Sequence, residues 1–289
     1  MHLILCTALV AIVIAADEVE RDLSTVFPNH IYPREFFYKD KNEGDQRIVG
    51  GQEALEHSFP YQAALFLPVK GGRSFCGGSV IGEEWVLTAA HCVDSLVSPV
   101  EVVLGAHDLR RTESSQVNVS GGEVHVHPGW NRTTLLNDVA LVKLSRRIAY
   151  TDYVRPVRLP SRAQLSRTFA GDQATVSGWG LTSDGDRSTS PVLRHITQPV
   201  MMNFLCNLLF FGNVASSHVC TSGAGGRTTC SGDSGGPLVV EEDDGERTQI
   251  GVVSFGLALS CEIGWPAAYT RLTSYMDWLS GVTGMPIRD

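Results

Sequence analysis

From Ile48 onward, the chain consists of short apolar runs separated by turn residues. The runs are rich in Val, Ile, Leu and aromatic residues, and Gly, Pro, Asn or Ser lies between them. Strand-length runs at even spacing favour β-barrels or β-sandwiches over helical folds. We therefore expect an all-β architecture, with strands near residues 61–66, 100–104, 123–127, 139–144, 174–177, 237–240 and 250–255.

One helical pattern lies close to the C-terminus. Ser274 and Asp277 resemble a capping box, and the aromatic and apolar side chains that follow share one helical face up to Gly281. We expect a C-terminal helix between Ser274 and Gly281.

The first 47 residues differ in composition from the rest of the chain. Residues 3–16 form one apolar run that is too short to span a bilayer and ends in two alanines before acidic Asp17. This pattern predicts a signal peptide over residues 1–16, and hence secretion; the small residues and the abrupt change in polarity disfavour the alternative of a buried helix. Residues 17–47 alternate between polar and aromatic and are expected to form a pro-segment.

Cysteine usage agrees with export. Cys6 lies in the predicted signal, and the even number that remains is typical of a disulfide framework. Six cysteines allow 15 pairings, so this count leaves the connectivity open. No Cys/His spacing is typical of a metal site, and we expect no metal and no cofactor. The six are Cys76, Cys92, Cys206, Cys220, Cys230 and Cys261.

The formal net charge of -8 and the lack of basic clusters argue against nucleic acid as a partner. No basic helix and no second long apolar run suggests a membrane. Two sequons, at Asn118 and Asn131, are expected to be glycosylated surface sites.

A glycine-rich string, residues 232–237 (Gly-Asp-Ser-Gly-Gly-Pro), surrounds Ser234. A serine hydroxyl is a weak nucleophile at its ordinary pKa and needs a general base and an exposed position. Glycines permit a tight turn whose consecutive N–H groups point inward, where they can stabilise an oxyanion. An ordinary serine in a turn is the alternative, but the Asp, the paired glycines and the Pro favour a nucleophile.

His91 and Asp138 could support such a nucleophile. His91 follows the apolar run 85–87 and precedes a cysteine, and histidine titrates near neutrality, as a general base should. Asp138 opens the run 139–144, so its carboxylate is expected to be partly buried and to need a partner such as the His91 imidazolium. Taken alone, His91 would be structural as often as catalytic, and Asp138 would more often be a turn residue that leads into a strand.

Together, these three residues occur in the chain order found in the chymotrypsin family of serine peptidases, and the chain resembles that family over residues 48–281. The stretch 261–269 resembles arthropod digestive chymotrypsins and collagenolytic brachyurins. The resemblance implies two six-stranded antiparallel Greek-key barrels, about 48–165 and 166–289, with the site between them. Supporting strings are residues 47–51 (Arg-Ile-Val-Gly-Gly), 75–79 (Phe-Cys-Gly-Gly-Ser), 176–180 (Val-Ser-Gly-Trp-Gly) and 254–256 (Ser-Phe-Gly).

The resemblance also implies a role for each site residue. Ser234 would attack the scissile carbonyl, and His91 would transfer the proton. Asp138 would orient His91 and accept a hydrogen bond from Ser254. The backbone N–H groups of Gly232 and Ser234 would form the oxyanion hole. The implied disulfides pair Cys76 with Cys92, Cys206 with Cys220, and Cys230 with Cys261.

Activation is implied at the Arg47–Ile48 bond. Cleavage there by a trypsin-like protease would free an amino terminus at Ile48, which would insert beside Asp233. A buried ammonium and a buried carboxylate each require the other, so their pairing would order the site. We expect residues 17–47 to be the activation pro-segment and 48–289 the protease domain.

The substrate pocket implied by the resemblance has Thr228 at its floor. A neutral floor argues against a preference for Arg or Lys. Ala267 replaces a common wall glycine and would make the pocket slightly shallower. We expect cleavage after Phe, Tyr, Leu or Met, with elastase-like or collagenolytic specificity as the alternative. The other implied substrate-binding residues are Ser254, Phe255 and Gly256.

The remaining expectations concern partners. Ala106 stands where calcium-binding relatives carry Glu, and two arginines follow at 110–111, so no calcium is expected at this loop. We expect a secreted, digestive monomer whose partners are protein or peptide substrates, an activating protease and protein inhibitors. The alternative class is a non-catalytic homologue that binds or regulates; such proteins usually lose a triad residue.

Overall fold

Two closed antiparallel barrels dominate the computed structural model, which describes residues 51–186, 188–256 and 261–289. The first barrel has the strand order β2-β3-β4-β7-β6-β5, and each of its strands is paired on both sides. Its strands are β2 (Gln62–Val69), β3 (Gly72–Gly82), β4 (Trp85–Thr88), β5 (Glu101–Leu104), β6 (Val117–Val126) and β7 (Ala140–Leu144).

The second barrel has the order β9-β10-β13-β12-β11-β8 and closes through the pairing of β8 with β9. The expected pair of six-stranded barrels is confirmed, and each of the seven predicted runs overlaps a strand. The strands are β8 (Gln173–Gly178), β9 (Arg194–Met201), β10 (His218–Thr221), β11 (Pro237–Glu241), β12 (Arg247–Phe255) and β13 (Ala267–Arg271).

Helical structure is sparse in the described ranges. It comprises α1 (Ala90–Val93), α2 (Asn203–Leu209), α3 (Met276–Thr283) and two short 3-10 helices, Arg162–Gln164 and Leu272–Ser274. None of the described helices is long and apolar enough to cross a membrane.

The C-terminal helix, α3, begins and ends later than predicted. Ser274 closes a 3-10 helix, and Tyr275 occupies the N-cap position of α3 without a side-chain hydrogen bond. The predicted capping box was therefore wrong. The helix continues through Gly281 to Thr283, and its C-cap residue Gly284 has the left-handed φ of 73° that glycine tolerates best.

Both ends of the described chain cross to the opposite barrel. The short strand β1 (Gln52–Glu53) pairs with β9 of the second barrel, whereas Met276 and Leu279 of α3 are buried in the core of the first. Buried polar contacts also join the barrels: Ser79 Oγ donates to Gln249 Oε1 at 2.6 Å, and Ser177 Oγ donates to Gln62 Oε1 at 2.6 Å. Because buried polar groups need such partners, these bonds fix how the barrels meet.

Three disulfides fix the loops of both barrels. They join Cys76 to Cys92, Cys206 to Cys220 and Cys230 to Cys261, which are the pairs implied by the family resemblance.

Candidate active site

His91 and Asp138 form a buried pair on the first barrel. His91 lies on α1, directly after β4, and Asp138 lies two residues before β7. The Nδ1 atom of His91 is 2.7 Å from Asp138 Oδ2, and the backbone N–H of His91 donates to Asp138 Oδ1 at 2.9 Å. Strands β4 and β7 are neighbours, so their pairing brings these two loops together.

The second barrel also holds Asp138. Ser254 Oγ, on β12, donates to Asp138 Oδ2 at 2.6 Å, as the resemblance implied. Thr270 Oγ1, on β13, donates to the backbone carbonyl of Asp138 at 2.7 Å. Thr270 was missed at the sequence level because it is an ordinary threonine in a strand, and only the register Val252–Thr270 brings it near the site.

The environment of His91 changes its proton affinity. Burial of the imidazole opposes protonation, but the charge and hydrogen bond of Asp138, with a smaller contribution from Asp94, raise the pKa of His91 above its ordinary value. The pair therefore favours an imidazole that gains a proton readily, as a general base must.

Ser234 is positioned from the first barrel by backbone contacts. The N–H of Gly77 donates to the Ser234 carbonyl at 2.7 Å. Gly77 follows Cys76, whose disulfide partner Cys92 follows His91, so one short path links the serine loop to the imidazole. Ser234 itself is half-buried.

Close approach at Gly235 requires a glycine. Its φ is 78°, and a Cβ there would lie 2.2 Å from Thr88 Oγ1 and 2.6 Å from the Gly77 carbonyl oxygen. Any side chain would therefore push the serine loop away from the first barrel. This close approach explains why a glycine directly follows Ser234.

The loop also presents two backbone donors. Gly232 has a φ of 96° and lies in the turn directly before the one that contains Ser234; the two donors are the N–H groups of these residues. Among the hydrogen bonds of the described residues, neither of these N–H groups donates to another protein atom. Two unpaired backbone donors in successive turns can receive an oxyanion.

Asp233 is directed away from the serine, into the interior. Its carboxylate accepts hydrogen bonds from the N–H groups of Gly180 at 2.8 Å and Cys230 at 3.0 Å. Burial raises the pKa of Asp233 to about 6, and the two N–H donors only partly oppose this. A Cβ at Gly178 or Gly180 would lie within 2.4 Å of the carboxylate, so both positions must lack a side chain.

Two of the predicted pocket residues, Phe255 and Ala267, lie on the paired strands β12 and β13. Thr228 is buried in the loop before Cys230, and Ala267 is buried at the start of β13, opposite Thr221 of β10. Phe255 is also buried, and the space beside Gly256 is open.

The loop after β5 binds its own carboxylates. Arg110 Nη2 donates to Asp108 Oδ2 at 3.0 Å, and both Glu113 oxygens accept backbone N–H groups, from His107 at 2.7 Å and Asp108 at 2.9 Å. The carboxylates of Asp108 and Glu113 thus accept hydrogen bonds from an arginine and from backbone N–H groups of the same loop.

Other predicted sites can be placed in part. Both sequon asparagines, Asn118 on β6 and Asn131 in the following loop, are exposed. The predicted activation residues Arg47 and Ile48, together with the predicted signal and pro-segment, lie outside the described residues.

The chain is similar to known proteins over most of its length. The family model described as Trypsin matches residues 48–279. A brachyurin from Leptuca pugilator is 41% identical over 82% of this chain and 99% of the relative. A chymotrypsin from Phaedon cochleariae is 42% identical over 80% of each. A solved structure described as HL collagenase superposes with a TM-score of 0.75 at 39% identity, covering 82% of this chain and 99% of the other.

The double barrel, the buried His–Asp pair and these similarities define a serine endopeptidase. The chain belongs to the trypsin family, and its relatives include the arthropod chymotrypsins and brachyurins that residues 261–269 resemble.

Proposed function

We propose that this chain is secreted as an inactive precursor and, after cleavage at Arg47, hydrolyses peptide bonds with Ser234 as the nucleophile. The observation that carries the proposal is the 2.7 Å contact between His91 Nδ1 and the buried Asp138 carboxylate. Because a carboxylate accepts at Nδ1, that nitrogen carries the proton and Nε2 is the acceptor. An imidazole in this tautomer is the base that a serine nucleophile requires.

In the acylation step, His91 carries one proton from the Ser234 hydroxyl to the leaving amine. His91 Nε2 takes the Ser234 hydroxyl proton while Oγ bonds to the scissile carbonyl carbon, and the N–H groups of Gly232 and Ser234 bind the resulting oxyanion. As the C–N bond breaks, His91 gives the proton to the leaving amine. Water repeats these steps on the acyl-enzyme and releases the carboxylic acid. Asp138 stabilises the imidazolium throughout.

Activation is proposed to supply a counter-ion for Asp233. Among the described residues, its carboxylate has only neutral hydrogen-bond partners, and burying a charge without a cation is unfavourable. Cleavage after Arg47 would create an ammonium at Ile48 that can pair with it. An Arg47→Ala chain should therefore remain inactive after treatment with trypsin. Full activity without cleavage would contradict the proposal.

The proposed primary specificity is for Phe, Tyr, Leu or Met. It is supported by the neutral, buried Thr228 and by the buried methyl group of Ala267. Collagenolytic cleavage is the second candidate, favoured by the similarity to proteins named brachyurin and HL collagenase.

Peptide-library profiling of the trypsin-activated enzyme tests the pocket. We expect cleavage after large apolar residues, and dominant cleavage after Arg or Lys would overturn this reading. Thr228→Asp should lower kcat/KM for Phe substrates by roughly tenfold or more, because an apolar side chain would then face a buried carboxylate. Thr228→Ser is the matched control and should retain the Phe preference. Intact collagen, as a second substrate, tests the other candidate.

A further inference from the structure

Half of the large hydrophobic side chains that are exposed in the described ranges lie within residues 202–211. No Asp, Glu, Lys or Arg occurs between Arg194 and Arg227. An exposed, uncharged apolar cluster usually marks a contact surface. We call this cluster the α2 face; it consists of Met202, Phe204, Leu205, Leu208, Leu209 and Phe211, which are 37–74% exposed.

The fold holds the α2 face outward. Cys206 is buried and bonded to Cys220, and the Phe210 ring packs against Phe255 with centroids 5.4 Å apart. Asn203 Nδ2 donates to two backbone carbonyls, at 3.1 and 2.7 Å. Because the inward side of α2 is packed and held by a disulfide, the exposed side chains cannot turn into the barrel, and only a segment from outside this barrel can cover them.

The N-terminal end of β1 points along β9 toward this face. β1 runs antiparallel to β9, with Gln52 opposite His195 and Glu53 opposite Arg194. Going from Glu53 to Gln52 along β1 therefore leads in the direction of Met201, where β9 ends and α2 follows. At ~3.3 Å per residue, His195 lies about 20 Å from Met201.

The upstream sequence contains a matching apolar block. Residues 36–38 are Phe-Phe-Tyr, and residues 39–46 are polar apart from one glycine, so they suit a solvated linker. The block lies 13 residues before Gly51. A flexible chain of that length spans on the order of 20 Å, which is the distance along β9.

We propose that Phe36, Phe37 and Tyr38 cover the α2 face of the same chain before cleavage. While linked, the block has an effective concentration in about the millimolar range, whereas a released peptide is diluted. The release step rests on the proposed function: cleavage after Arg47 separates block from face, so activation uncovers an apolar surface on the mature enzyme.

The test uses the unprocessed chain carrying Ser234→Ala, with the photo-crosslinker benzoylphenylalanine replacing Leu208. We expect a crosslink within the monomer to the peptide containing residues 36–38. Phe36→Ser with Phe37→Ser should reduce its yield severalfold, whereas the matched pair Val26→Ser with Phe27→Ser should not. The same crosslinker at exposed Val97 should not reach the block.

Three results would overturn the proposal: crosslinked dimers, crosslinks to no part of residues 17–47, or an undiminished yield in the variant that lacks Phe36 and Phe37. The readout needs neither cleavage nor activity, so it is separate from the test of the zymogen. After cleavage at Arg47, bis-ANS fluorescence should rise severalfold; unchanged fluorescence would contradict the release step.

Discussion

At the residue scale, Asp138 is bound through both of its carboxylate oxygens. One accepts the His91 backbone N–H, and the other is contacted by His91 Nδ1 and Ser254 Oγ. An Asp138→Asn substitution would place an amide N–H donor against the donors that now face the carboxylate. His91 would then favour the tautomer with its proton on Nε2 instead of Nδ1. We expect kcat/KM at neutral pH to fall on the order of 10⁴-fold, the magnitude known for this change in a reference enzyme of the family.

The pH dependence of kcat/KM gives this prediction a second readout. The imidazole must be neutral to act as a base, so activity should rise with pH through the raised pKa of His91. In Asp138→Asn, the acid limb of the kcat/KM profile should move to lower pH, because the pKa of His91 is no longer raised by the carboxylate. An acid limb at the same pH would contradict the role assigned to Asp138. Thr270→Val, which removes only a bond to the Asp138 backbone, is the control and should cost less than about tenfold.

The pKa of Asp233 determines how the stability of the uncleaved chain depends on pH. Its pKa is raised from 3.8 to about 6 by burial. Below both values the carboxyl is protonated whether the chain is folded or unfolded. As pH rises through this window, the unfolded chain ionises first and the free energy of unfolding falls, by about 3 kcal/mol once pH exceeds 6.

Asp233→Asn removes this titration from the uncleaved chain. The free energy of unfolding of the variant relative to the parent should therefore improve by about 3 kcal/mol between pH 3 and pH 8, as measured by urea denaturation. A difference that does not change with pH would contradict the raised pKa of Asp233, and a variant that becomes relatively less stable as pH rises would show that Asp233 has a cationic partner before cleavage.

At the element scale, α2 depends on the disulfide that closes its loop. Cys206 and Cys220 are 14 residues apart, and a cross-link over such a loop stabilises a fold by roughly 3 kcal/mol. The double substitution Cys206→Ala and Cys220→Ala should lower the free energy of unfolding by that amount in urea titrations. A loss below about 1 kcal/mol would mean that packing around Phe210 holds α2 by itself.

Elements also show where sequence patterns succeed and fail. Strands such as β5 and β12 were predictable because their apolar runs end at turn residues. The ends of α3 were not, because Gly281 suggests a stop, yet the helix continues while Met276 and Leu279 pack into the first barrel. An interior glycine costs only about 1 kcal/mol, which such burial offsets.

The residues of the active site also differ in whether the sequence alone reveals them. The serine string and the histidine string have local signatures, so they could be found in the sequence. The partner Thr270 could not, because its place beside Asp138 depends on strand pairing between distant parts of the chain.

At the scale of the whole molecule, the two barrels are expected to unfold together. β1 joins the second barrel, α3 packs on the first, and buried bonds such as Ser79–Gln249 cross between them. Separating the barrels would leave these polar groups buried without partners or would expose apolar core. Calorimetry of the protein should show one transition; two resolved transitions would contradict this coupling.

Covalent labelling of Ser234 tests the central claim most directly. An organophosphate reacts with a serine only when a neighbouring base activates its hydroxyl. Mass spectrometry of the chain cleaved after Arg47 should show one adduct, on Ser234, with loss of activity, and the cleaved His91→Ala variant should show none. A cleaved chain that begins at Ile48 and carries no adduct, or carries it on another serine, would contradict the account.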